Sequence, residues 1–274
     1  MLHKKITFIG AGNMAGSIIS GLVQGGYPAD FICASDPCVD NTEKLTKLHA
    51  IKGSQDNIDA TNWCDVIVLA VKPQIMATVC QTLSEQGIDF SNKLVISIAA
   101  GISVQRLQSL VGVNTAVIRA MPNMPALVQK GMTGLFASEQ VSETDKTFAG
   151  ELMSAVGEIV WIEDEAMINA VTAAAGSAPA YFFLFMEAMQ AKAMEMGFDE
   201  QQARLLVLQT ALGSAEMVKE NADISISQLR KNVTSKGGTT AEGLRTFNEL
   251  GLSDIVAKAM QAVADRGIEM EKSL

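Results

Sequence analysis

Aromatic residues are scarce, at 5% of 274 positions with only two Trp and two Tyr. Interlocking rings therefore cannot dominate the core, and Ala, Met, Gly and Leu fill the interior instead. That suits close helix packing better than a β-sandwich. Histidine is rarer still. His3 and His49 both lie in the first part, which excludes a Ser-His-Asp set from the second half, and no metal cluster is expected. The four cysteines, Cys33, Cys38, Cys64 and Cys80, match no zinc spacing, and a chain of this length needs no disulfide staples. They read as reduced, buried, inert thiols of a cytoplasmic protein. Positive charge is short: 21 Lys and Arg face 30 Asp and Glu, for a net charge of -9. Nucleic acid and anionic membranes, which demand a basic face, are excluded as partners, while a small anionic substrate is not. No apolar run is expected to reach the ~18 to 20 residues that span a bilayer. Met1 to Gly10 reads as a strand running into a motif, not as a signal peptide.

What is present is a chain 48% apolar and 19% charged, enough for a sizeable core. Its two parts follow different patterns. Up to about Trp161, short β-branched runs alternate with helical spacing. Strands are expected at Lys5 to Ile9, Phe31 to Ala34, Val66 to Val71, Leu94 to Ile98, Ala116 to Arg119 and Gly134 to Ala137. Helices are expected at Ala15 to Gln24, Thr42 to Leu48, Ile75 to Gln86 and Val104 to Leu110. Alternation of this kind implies crossovers and a parallel sheet. Beyond it, strand signals vanish and five helical stretches follow, with Pro179 kinking or starting one of them. The expected fold class is α/β: an N-terminal Rossmann-type doubly wound parallel sheet over residues 1–163, plus a C-terminal all-α substrate and dimerisation domain over residues 164–274.

Ile9-Gly10-Ala11-Gly12-Asn13-Met14-Ala15 is G-x-G-x-x-A directly after a strand and opening a helix. Gly10 permits the tight turn and Gly12 lets backbone approach a pyrophosphate. The helix N-terminus offers free N–H groups to phosphates. This predicts binding of NADP(H) or NAD(H). The second strand ends at Ser35-Asp36-Pro37. Asp36 either accepts from a ribose 2′-OH, which favours NADH, or only shapes an Asp-Pro turn. Ala70-Val71-Lys72-Pro73 ends a buried strand, where such sheets bind ligands. Lys72 either neutralises a phosphate or is simply solvated. Asn57, on a polar stretch before this strand, either meets the adenosine side or is an ordinary loop asparagine. Met121-Pro122-Asn123-Met124-Pro125 follows another strand and, in this fold, belongs near the nicotinamide.

The second half carries one polar island, Asn232 to Thr240. Backbone N–H groups of Gly238, Thr239 and Thr240 at a helix start make a receptor for a carboxylate, and a threonine hydroxyl can donate to a substrate nitrogen. The competing reading is a capping loop, with Thr239 or Thr240 as N-cap and Glu242 completing a capping box.

Together these pieces resemble pyrroline-5-carboxylate reductases. The matching stretches are FIGAGNMA at 8–15, AVKP at 70–73, SIAAG at 97–101, RAMPNMPALV at 119–128, GSAPAYFFLFMEAM at 176–189 and VTSKGGTTAEGL at 233–244. The family usually has Pro where Lys236 stands and Thr where Met124 stands. The resemblance implies NAD(P)H-dependent reduction of 1-pyrroline-5-carboxylate to L-proline, the last step of proline biosynthesis. By position it implies cofactor contacts from Ile9, Gly10, Ala11, Gly12, Asn13, Met14, Ser35, Asp36, Asn57, Ala70, Val71, Lys72, Pro73, Met121, Pro122 and Asn232. Substrate contacts would come from Glu165, Ser235, Gly238, Thr239 and Thr240, with Thr240 in the catalytic role. Family members often prefer NADPH, against the lean of Asp36 to NADH. Self-association through the helical half, at least as a dimer, is also implied. The alternatives are a reductase of another cyclic imine or keto acid, and a dinucleotide-sensing protein without turnover.

Overall fold

The computed structural model describes residues 3–273. The expected Met1 to Gly10 strand pattern is therefore described only from His3, and Met1, Leu2 and Leu274 lie outside the described residues. Eight strands form one sheet in the order β3-β2-β1-β4-β5-β6-β7-β8. They are β1 (Ile6–Ile9), β2 (Ile32–Ser35), β3 (Lys52–Ser54), β4 (Val66–Leu69), β5 (Leu94–Ser97), β6 (Ala116–Met121), β7 (Gly131–Ala137) and β8 (Gly157–Trp161). In the four-residue strands β1, β2, β4 and β5 every residue is buried, as a strand covered on both faces requires. The connecting helices are α1 (Asn13–Gln24), α2 (Val39–His49), α3 (Asn57–Trp63), α4 (Pro73–Glu85), α5 (Val104–Val111) and α6 (Glu143–Ser154). Apolar clusters lie on both sides of the sheet. One gathers Phe8, Ile18, Leu22 and Phe148, the other Ile9, Ile67, Met76 and Leu107.

All pairings are parallel except β6 with β7. The sheet is parallel as expected apart from this one pair, which is antiparallel for a reason of length. Only a short 3₁₀ turn, Met124–Val128, separates the two strands, and a parallel return needs a longer crossover. The elements β3, β8, α3 and α6 are additions to the expected set.

The chain divides into two compact units. The first runs through Ser177 and resumes at Ala262; the second is Ala178–Gln261. In the first, α7 (Met167–Val171) passes into a π turn, Thr172–Gly176, closed by Ser177 N–H donating to the Thr172 carbonyl at 2.8 Å. The second opens with α8 (Ala178–Glu195), with Pro179 in its first turn, so the proline marks a helix start. It continues with α9 (Glu200–Glu220), α10 (Ile226–Asn232) and α11 (Thr239–Glu249). The last helix, α12 (Leu252–Ser273), begins in the second unit and ends in the first.

Within the second unit little is covered. Ala178 is the only buried residue of α8, and Ala203 and Val207 are the only ones of α9. Phe182, Leu184, Leu205 and Met217 are among many exposed apolar side chains. One helical run among the described residues, Met167–Glu195, is long and apolar enough by length and composition to cross a membrane, with 22% of the window buried. That corrects the expectation of no such run: the helix continues through Asn169, Thr172 and Ser177, polar residues that interrupt the apolar run in the sequence. The cysteine expectation also needs one correction. Cys33, Cys64 and Cys80 are buried, whereas Cys38 is exposed. Burial raises the Cys33 thiol to about 11 and the Cys80 thiol to about 12, keeping both protonated and inert.

Candidate active site

Order 3-2-1-4 places the switch point of the sheet between β1 and β4, and their carboxyl ends carry the opening turn and Ala70–Pro73. Two glycines there do different work. Gly10 has φ +99°, and a Cβ on it would meet the Ala70 carbonyl oxygen at 2.8 Å. It is required by the backbone itself. Gly12 has an ordinary backbone, and nothing lies within 4 Å of where its Cβ would stand. Its bareness leaves a cradle that a side chain would fill. The first intrahelical bond of α1 runs from Gly16 N–H to the Gly12 carbonyl at 2.9 Å, so the N–H groups of Asn13, Met14 and Ala15 lack helical partners. No acidic residue stands in that turn. Open space, free donors and a positive dipole end fit a pyrophosphate.

Asp36 fastens this turn to the end of β2. Its Oδ2 accepts from Ala11 N–H and its Oδ1 from Cys38 N–H, both at 2.9 Å. The Asp-Pro turn is thus real, and the same carboxylate faces the opening loop. Ser35 Oγ and Asn57 Oδ1 are 2.7 Å apart, which joins two of the expected contacts at the ends of β2 and α3. Lys72 is the exposed N-cap of α4, with Pro73 as the first helical residue. Met121 ends β6, Pro122 is buried behind it, and Asn123 is held on both sides. Its Nδ2 donates to the Ala175 carbonyl at 3.1 Å and its Oδ1 accepts from Met132 N–H at 2.9 Å. Glu165 also belongs to this unit. Its Oε1 accepts from Val104 N–H at 2.7 Å and from Arg119 at 2.6 Å.

The second unit holds Asn232, Ser235, Gly238, Thr239 and Thr240. Asn232 ends α10 and its Oδ1 accepts from Gln228 at 2.8 Å. Gly237 has φ +72° and Gly238 packs against the Ser235 side chain so closely that a Cβ would strike its Oγ. The N-cap of α11 is Gly238, without a side-chain cap, so the capping-box reading fails. Glu242 instead pairs with Arg245, and its N–H makes the first helical bond, to the Gly238 carbonyl at 3.3 Å. The N–H groups of Thr239, Thr240 and Ala241 therefore lack helical partners, at exposed threonines. That arrangement suits a carboxylate.

Arg119 carries no signal of its role in the sequence beyond its place in a matching stretch. It is buried at 3% exposure, where a cationic side chain is rare, and a strand pattern gives no sign of buried ion pairs. No group of three His, Cys, Asp or Glu residues able to hold a metal exists among the described residues.

The family model described as pyrroline-5-carboxylate reductase dimerisation matches residues 165–270, and that described as NADP oxidoreductase coenzyme F420-dependent matches residues 5–101. A pyrroline-5-carboxylate reductase of Vibrio alginolyticus is 59% identical over 99% of both chains, and one of Haemophilus influenzae is 51% identical over 99% of both. Among solved structures, a pyrroline-5-carboxylate reductase from Coxiella burnetii superposes with a TM-score of 0.92 at 38% identity, covering 98% of this chain and 99% of the other. A Plasmodium falciparum pyrroline carboxylate reductase with NADP bound gives 0.88 at 30% identity over 99% of both. With full-length identity of this order, the chain belongs to the pyrroline-5-carboxylate reductase family.

Proposed function

We propose that the protein reduces 1-pyrroline-5-carboxylate to L-proline with NAD(P)H, and that it works as a self-associated enzyme of the cytoplasm. The observation that carries the substrate is the uncapped start of α11 behind Gly237-Gly238, in a chain whose other unit has an open dinucleotide turn. Residues 1–163 are assigned to the cofactor and residues 164–274 to substrate and self-association.

The bound cofactor supplies hydride to imine carbon C5. The chain's own residues do the rest. The free N–H groups of Thr239, Thr240 and Ala241 hold the carboxylate at the positive end of α11, with the Ser235 hydroxyl beside them; the expected Gly238 N–H is not free, because it donates to the Ser235 carbonyl at 3.1 Å. Reduction of C=N places a pair of electrons on nitrogen, which must take up one proton. The Thr240 hydroxyl donates a hydrogen bond to that nitrogen, directly or through water, and so favours the acceptor at C5. Ile9 to Met14 and Ala70 to Pro73 hold the pyrophosphate side, Ser35, Asp36 and Asn57 the adenosine side, with Asn232 and Met121-Pro122 completing the cofactor's surroundings. Glu165 is assigned to the substrate edge. The charge of Asp36 opposes a 2′-phosphate, against the family's habit.

Initial rates on 1-pyrroline-5-carboxylate with NADH and with NADPH test the reading. Turnover with at least one is expected, and the ratio of the two kcat/KM values measures the pull of Asp36. Faster turnover of a piperideine-carboxylate or a small keto acid would assign another substrate. Cofactor binding with no consumption on any of them would make the protein a sensor.

A further inference from the structure

Arg119 is a buried cation that neither the dinucleotide turn nor the GGTT loop uses. It stands on β6, two residues before Met121. Its guanidinium has two prongs: Nη1 donates to Glu165 Oε1 at 2.6 Å and Nη2 to Glu271 Oε1 at 2.9 Å. Glu165 Oε1 also receives Val104 N–H, at the start of α5. Glu271 Oε2 receives Asn169 Nδ2 at 3.4 Å, and Asn169, itself buried, presses on α12 where Gly267 has no side chain. One cation at the carboxyl end of β6 thus ties the segment before α7, the start of α5 and the last turn of α12.

Residues 119 and 121 alternate along the strand and share a face. Met121 packs against Gly176, where a Cβ would lie 2.7 Å from its Cε, and Asn123 donates to the Ala175 carbonyl. Ala175 and Gly176 belong to the π turn that leads out of the first unit; Glu271 lies on the stretch of α12 that returns to it. Within the first unit, the turn that leads out of it and the stretch of α12 that returns to it are therefore both held by side chains from one strand end, and that strand end continues directly into Pro122.

We infer that Arg119 is a positioning residue for the reduction: it fixes the α12 root against the strand end that runs into the nicotinamide loop. The inference rests on the proposed function, which assigns Met121-Pro122 to the cofactor and α11 to the substrate. A guanidinium is needed because its planar fork serves two diverging carboxylates at once, whereas a lysine ammonium is a point charge on a flexible stem.

The test uses the full chain carrying Arg119→Lys, Glu271→Gln, or both. In Arg119→Lys, kcat on 1-pyrroline-5-carboxylate should fall by ~10-fold or more through misplacement, while the NADPH dissociation constant, read by fluorescence, stays within ~2-fold because no phosphate contact is lost. Glu271→Gln should act in the same direction, and the double variant should be no worse than Arg119→Lys alone, since both break one connection. Amide hydrogen exchange over residues 262–273 should quicken in each. Retained kcat, additive losses, or a loss confined to melting temperature would overturn the role. If Arg119→Lys fails to fold, Glu271→Gln carries the same readouts by itself. If the wild type does not turn over the imine, the functional reading falls, and unchanged exchange over residues 262–273 would then sink the latch independently.

Discussion

The two units solve the burial problem in opposite ways. In the first, the fully buried strands β1, β2, β4 and β5 lie between helices, with apolar clusters on both faces of the sheet. In the second, α8 and α9 together bury three residues and leave Phe182, Leu184 and Leu205 in the open. Apolar surface of that extent is unstable in water and is the mark of an interface between copies. The second unit thus has the greater need of a partner copy, in keeping with the match of residues 165–270 to a dimerisation family. The helix starts show a parallel contrast. α5 and α6 are capped by Ser103 and Ser142, and α9 by a full box from Asp199 and Gln202, whereas α1 and α11 begin on bare glycines. α2 and α4 also lack side-chain caps, but only α1 and α11 among these helices start on glycine, which leaves their first N–H groups unobstructed, an arrangement that suits anions.

The contrast can be broken most severely on α8. Phe182→Glu with Leu184→Glu should abolish self-association, seen as a monomer by light scattering, with activity lost and the first unit still folded. A retained oligomer would place the interface elsewhere. Next in size is Thr240→Ala. It should cut kcat by ~10²-fold, at the low end of general acid catalysis, with little change in NADPH affinity; an unchanged rate would remove Thr240 from the catalytic role. The glycines separate ligand from backbone. Gly12→Ala should fold normally, its Cβ meeting nothing, yet weaken NADPH by ~10-fold, as misfit at a phosphate costs about 1.4 kcal/mol. Gly10→Ala should instead lower the melting temperature, through strain at φ +99° and the Ala70 carbonyl. Equal behaviour of the two would contradict the assignment of Gly12 to the cradle.

The smallest effect is alkaline. The buried Tyr27 hydroxyl accepts from Lys4 N–H at 2.8 Å and donates to the Lys4 carbonyl at 2.5 Å. Burial pushes its pKa up to about 12 from 10.0. The fold thus favours the neutral phenol. Its contribution is present below pH 10 and is lost as pH rises from 10 through 12. Tyr27→Phe should flatten the stability loss across that window, on the order of 1 kcal/mol. An unchanged slope in urea melts at pH 9, 10 and 11 would exclude Tyr27 as its source.

Much of this was readable without coordinates, and the boundary is physical. Val66 to Leu69 announces itself because a strand buried on both faces is continuously apolar, and Ile6 to Ile9 nearly so, with only Thr7 interrupting. The GAGNMA turn and GGTT loop are local motifs whose chemistry depends on neighbours in sequence. By contrast β3, Lys52–Ser54, is short, polar and partly exposed, so it carries no hydrophobic signal. β8 pairs along β7 through distant partners, such as Leu135 with Trp161, which periodicity does not register. The capping box at Glu242 was plausible on spacing alone and lost to a nearer partner, Arg245. Arg119 with Glu165 and Glu271 is non-local by 46 and 152 positions, beyond any pattern read along the chain.

The uneven burial of sulfur has a practical corollary. Cys33, Cys64 and Cys80 are buried, so Cys38 is the single thiol open to reagent, and its amide sits on Asp36 at the rim of the dinucleotide turn. The unmodified protein therefore comes with one addressable position for a fluorophore or spin label, next to where cofactor arrival changes the surroundings, and occupancy of the turn can be followed in real time without engineering a cysteine.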